Sequence, residues 1–178
     1  AVSDVLFLLF ATLAMAYPVV RVRQWRNLIF VPLLLLLALL NISSHWGVLS
    51  EQPELAQRSL HGAIMVITLM ITVLGGRVIP FFTASGTGTQ KTQPIKWLEA
   101  LSIASMLLVV IVALVGFNRI PPLLMLVLCS IAALFNGWRF LRWGFQRCRH
   151  IPLLWSLHLS YAFIPLGLLV LALQSMGY

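Results

Sequence analysis

The sequence predicts an all-α fold: a polytopic transmembrane helix bundle of about six spanning helices, with both ends of the chain on the periplasmic side. Three observations carry this. The 178 residues are 61% hydrophobic and only 9% charged, with a mean hydropathy of +0.99, far beyond the roughly 45–50% apolar share of soluble domains. Apolar runs of about 20 residues, enough to cross a hydrocarbon core of roughly 30 Å, recur along the chain. The basic residues cluster in alternate connectors.

The first run covers about 3–19. Asp4 precedes it and Arg21, Arg23 and Arg26 follow it, the reverse of a cleavable leader's basic start. The second covers about 27–46 and the third about 57–79; the third starts near His61 and is expected to end in Gly75, Gly76, Arg77 and Pro80. The polar stretch Ala84 to Pro94 then reads as a flexible loop, with a gate as the alternative. The fourth run covers about 97–117, the fifth about 121–143 and the sixth about 152–175. Pro121 and Pro122 open the fifth, with Asn118 as a cap candidate, and Pro152 opens the sixth. Pro165 lies inside the sixth, where it frees the carbonyl of Tyr161 and predicts a kink. Residues 1–178 read as a single transmembrane helical domain. Ala1 opens directly into one apolar helix and Tyr178 stops just past another, so the chain is expected to be a portion of a longer protein.

The formal charge is +8. Arg21, Arg23 and Arg26 fill the first connector, Arg77, Lys91 and Lys96 the third, and Arg139, Arg142, Arg147 and Arg149 the fifth; Arg58 and Arg119 alone lie by the others. The positive-inside rule therefore places connectors one, three and five in the cytoplasm. The lack of a basic face interleaved with aromatics excludes a nucleic-acid partner. The lipid bilayer is the expected partner, in a membrane crossed several times.

Cys129 and Cys148 have neither zinc-site spacing nor the C-x-x-C-H pattern of covalent haem attachment, and no disulfide is expected. A small hydrophobe is the ordinary role for a buried cysteine such as Cys129. No nucleophile constellation, phosphate-binding glycine loop or metalloprotease motif is visible, so the sequence defines no catalytic residue.

Ionisable groups in a bilayer cost several kcal/mol when unpaired. His61, Arg77, Glu99, Arg139 and His158 fall in or at the ends of spans, with the polar Asn41 and Asn136. On the third helix His61, Met65, Thr68, Thr72 and Gly75 share one stripe, which serves either close helix packing or a lined cavity. Arg77 lies roughly 24 Å along the axis from His61, so the two have separate roles; Arg77 is either a snorkelling anchor or a partner for an anion or a propionate. His158 is expected to be surrounded on its own helix by Trp155, Tyr161 and Pro165. It sits deeper than His61, at heights differing by roughly 15 Å, which assigns the two histidines to separate sites. His45 and His150 read as solvated, and Glu99 beside Lys96 and Arg139 near Asn136 as groups paired at the cytoplasmic face.

Four blocks carry a family resemblance: His61 with GGRVIPFFT (Gly75 to Thr83), KWLEALS (Lys96 to Ser102), NGWRFLRW (Asn136 to Trp143) and PLLWSLHLSYAFIPLG (Pro152 to Gly167). In order and spacing the chain resembles the NnrS family, bacterial membrane proteins associated with haem, copper and the response to nitric oxide. The likeness covers most of 27–178, and the first span is less diagnostic. The resemblance implies haem and copper as cofactors and a role in resistance to nitric oxide and nitrosative stress. It also implies about twice as many helices in the complete protein, with further histidine-bearing motifs on either side. His61 and His158 are then the candidate metal or haem ligands and Arg77 a cofactor-binding partner. Whether any enzymatic chemistry follows is left open. A secondary transporter or channel is the competing class, drawn from the proline inside the sixth helix and the glycine pair above a basic connector.

Overall fold

The computed structural model describes residues 2–177, and among these there is helix and no strand. Six helices follow one another: α1 (Val2–Arg21), α2 (Phe30–Leu49), α3 (Pro53–Thr87), α4 (Lys96–Val115), α5 (Pro122–Arg142) and α6 (Pro152–Gln174). Each is long and apolar enough to cross a membrane. Short 3-10 turns at Trp25–Asn27, Phe117–Arg119 and Phe145–Cys148 lie in the connectors. Five of the six spans agree with the sequence expectation to within a few residues.

The exception is α3. The sequence expectation ends this helix at the glycine pair and Pro80, but it runs on to Thr87 with Pro80 inside it. An interior proline removes only its own bond, here to the carbonyl of Gly76, and in a membrane segment neighbouring helices compensate for that loss. The true stop is Gly88, in the left-handed conformation at φ 64°, where the Thr89 amide reaches back to the Ala84 carbonyl at 3.1 Å in a Schellman closure. Thr87 Oγ1 caps the same turn by donating to the Thr83 carbonyl at 2.6 Å. The first part of the predicted flexible loop is therefore helical. The 35 residues of α3 span roughly 52 Å, well beyond a hydrocarbon core.

α1 and α2 end by the same closure without glycine. Arg23 and Glu51 take φ of 55° and 54°, with Gln24 bonded back to Val19 and Gln52 to Gly47.

The chain divides into two compact units. The first comprises Ala1–Met70 and Ala113–Gly116. In it α1 packs along α2, Phe30, Leu33, Leu37, Val66 and Leu69 are buried, and Ser59 and Ser43 share a hydrogen bond of 2.9 Å. The second comprises Ile71–Val112 and Phe117–Tyr178. There α5 packs along α6 over a core including Leu98, Met106, Val109, Ala132 and Leu168. α6 remains one helix through Pro165.

Large apolar side chains on the other faces, such as Leu107, Ile111, Phe163, Leu166 and Val170, are exposed. So broad an apolar exterior suits lipid rather than water as the surrounding solvent.

Candidate functional site

The second unit holds two polar clusters. The first is built around Arg139, on the last turn of α5 and only 1% exposed. Its guanidinium grips Glu99, in the first turn of α4, with Nε donating to Oε1 at 3.0 Å and Nη2 to Oε2 at 2.7 Å. Nη1 reaches Tyr161 Oη at 3.3 Å. Both terminal nitrogens point at the Thr72 carbonyl at 3.4 Å. Five N–H groups thus face acceptors, the full donor complement of an arginine. Tyr161 passes its own proton to Asn136 Oδ1 at 2.8 Å, and Asn136 Nδ2 donates to the Ala132 carbonyl at 2.8 Å. The guanidinium carbon also lies 5.5 Å from the Trp143 ring centroid, within cation–π range. Trp143 packs edge-on against Tyr161 at 4.6 Å.

Glycine makes room for this cluster. A Cβ on Gly76 would overlap Arg139 Nη2 and come within 3.0 Å of Glu99 Oε2, and one on Gly75 would come within 2.7 Å of two Tyr161 ring carbons. For Gly75 and the buried Thr72, the small-residue stripe of α3 is therefore a packing surface. Charge balance follows from pairing. Glu99 and Arg139 cancel within one bidentate contact, the strongest form of this interaction.

The second cluster surrounds His158, which is fully buried on α6. Its Nδ1 lies 2.9 Å from the Leu154 carbonyl. A carbonyl only accepts, so Nδ1 carries the proton and Nε2 presents its lone pair. Nε2 faces Thr83 Oγ1 at 3.4 Å, and Cys148 Sγ approaches the same hydroxyl at 4.0 Å. Two rings flank the imidazole, Phe140 at 6.1 Å and Phe145 at 5.9 Å between centroids. The aromatic surround expected from Trp155 and Tyr161 on α6 itself thus comes from the end of α5 and the turn after it. Tyr161 belongs to the arginine cluster and Trp155 is exposed. Tyr161 turns instead to Arg139 and Asn136, which satisfy its hydroxyl.

The other sequence candidates lie on α3. His61 is half-buried on the part of α3 that belongs to the first unit, and Arg77 is half-buried on the part in the second unit. Among the described residues no group of three or more His, Cys, Asp or Glu side chains gathers as a metal site. The sequence places Glu99 beside Lys96 and Arg139 near Asn136, whereas the structure pairs Glu99 and Arg139 with each other. Sequence reading missed Thr83 and Cys148 beside His158; their shared approach depends on Gly144, at φ 82°, which turns the chain into the 3-10 segment ending at Cys148.

Six helices long and apolar enough to cross a membrane, with a buried ionic pair and a buried imidazole in the second unit, define a polytopic helical membrane protein. The NnrS family model, described as NnrS protein, matches residues 1–178, and the chain belongs to this family. The match takes in the first span as well as the four blocks. No curated protein and no solved structure matches the chain.

Proposed function

We propose that this chain is a transmembrane domain of an inner-membrane haem and copper protein acting in the bacterial response or resistance to nitric oxide and nitrosative stress. The family match over the whole chain supports the reading, and the state of His158 is the observation that carries it. A metal-binding histidine characteristically donates its second ring N–H to a carbonyl or carboxylate, which fixes the tautomer and aims the lone pair. His158 does this through Leu154, so its Nε2 fits a metal ion. Its full enclosure by side chains suits a compact ion such as copper better than a macrocycle. His61, half-buried on α3, would hold haem, and Arg77 would partner a propionate or another anion. When bound, these metals supply a coordination position for nitric oxide. The remaining helices of the full-length protein complete the ligand sets, and the arginine-rich connectors face the cytoplasm.

The test is the haem absorbance and copper content of the complete protein purified from membranes. Both cofactors are expected in the wild type, with nitric oxide shifting the haem bands, and His158→Ala is expected to remove most of the copper. A wild-type protein with neither haem nor copper overturns the proposal, and unchanged copper in His158→Ala removes His158 from the site.

A further inference from the structure

Cys148 is fully buried, yet it is not packed as an inert hydrophobe. Its sulfur lies 4.0 Å from Thr83 Oγ1 and 3.8 Å from the Gly144 carbonyl. His158 Nε2 meets the same Thr83 hydroxyl at 3.4 Å. Both approaches are at the outer limit of hydrogen bonding, and N–H and O–H contacts of this length are weak. Two good metal donors, a thiol and an imidazole nitrogen, therefore converge on one small hydroxyl through long contacts. Cys129 shows the contrast: its sulfur has only Met125 Sδ at 3.9 Å, a soft contact in an apolar core.

From this convergence we infer that Cys148 and His158 form a two-donor site for a soft monovalent cation, cuprous ion, with the thiolate and the imidazole Nε2 as its ligands. The inference deepens the copper reading above and rests on it.

Charge selects the ion. Before binding, the thiol points its proton at the Gly144 carbonyl and the imidazole points its Nδ1 proton at the Leu154 carbonyl. Ligation breaks the S–H bond, releases the proton to solvent and forms an S–Cu(I) bond, with no change in oxidation state. One positive charge replaces another, so the buried pocket keeps its net charge. A divalent ion at the same two donors adds an uncompensated charge, and burying an unpaired charge is costly. Thiolate and imidazole donors suit cuprous ion by softness. Thr83 contacts both side chains through its hydroxyl and leaves ligation to them.

The experiment uses the complete protein in detergent, titrated anaerobically with cuprous ion against a chromophoric chelator, with X-ray absorption at the copper edge as the second readout. The wild type is expected to show one sulfur and at least one imidazole nitrogen around copper. Cys148→Ser is expected to lose the sulfur signal and weaken the affinity beyond the roughly 10–100-fold that loss of a supporting partner costs, whereas Cys129→Ser keeps both. A wild-type spectrum without sulfur overturns the inference even if Cys148→Ser fails to fold. So does Cys148→Ser with wild-type affinity. A wild type that binds copper through nitrogen alone leaves the functional proposal standing while removing Cys148; one that binds no copper removes both.

Discussion

Glu99→Gln is expected to destabilise the protein by about 3–5 kcal/mol, because it strands a guanidinium in the bundle. Arg139 is almost fully buried, and Glu99 is its only charged partner in the cluster. A carboxyl group deprived of its partner can take up a proton and shed its charge, but a guanidinium cannot lose one. Arg139→Met is therefore expected to cost less than Glu99→Gln, although it also removes the contacts to Tyr161 and Thr72. The double variant Glu99→Gln with Arg139→Met is expected to recover much of the loss, since neutral groups of similar volume often replace a buried ion pair without net cost. Unfolding by denaturing detergent, followed by circular dichroism, measures all three. A loss below about 1 kcal/mol for Glu99→Gln, the scale of an exposed pair, shows that solvent reaches this contact.

Gly76→Ala is expected to destabilise the protein by about 2–4 kcal/mol, in the range of overpacking and of buried-pair disruption. In an ordinary helix the same change stabilises by up to about 1 kcal/mol, so the sign itself is diagnostic. The added methyl overlaps Arg139 Nη2 and crowds Glu99 Oε2 at 3.0 Å. The guanidinium has to move, and moving it breaks the bond to Glu99. In an Arg139→Ala background the same substitution is expected to cost under about 1 kcal/mol, because the obstructing atoms are gone and contacting residues do not add. Equal costs in the two backgrounds would place the obstruction elsewhere on α3.

The spans were legible because an apolar run of bilayer length has few alternatives. The far end of α3 was not. Gly75, Gly76 and Pro80 carry the local marks of a helix end, yet the glycines are there because Arg139 and Tyr161 press against the helix, and the stop signal lies at Gly88. A glycine selected for close approach and one selected for a left-handed turn look alike in sequence. Pairing was hidden for a related reason. Glu99 and Arg139 stand 40 residues apart, and nothing local distinguishes the Lys96 beside Glu99 from its actual partner. Apart from His61, residues of all four sequence blocks nevertheless fall in the second unit: Gly76 and Thr83 from the first, Glu99 from the second, Asn136, Arg139 and Trp143 from the third, and His158 and Tyr161 from the fourth. His158 was visible as an ionisable group in an apolar helix. Its tautomer and its approach to Cys148 were not, since both depend on backbone carbonyls and on the turn at Gly144.

The account depends on six membrane crossings with arginine-rich connectors on the cytoplasmic side. Labelling single cysteines at two exposed connector positions, Asn118→Cys and Gln146→Cys, with a membrane-impermeant maleimide tests this most directly. In intact cells the cysteine at 118 is predicted to react from the periplasm, while the one at 146 reacts only after the membrane is opened. Reaction of both from the same side contradicts the topology and, with it, the proposed arrangement of the protein.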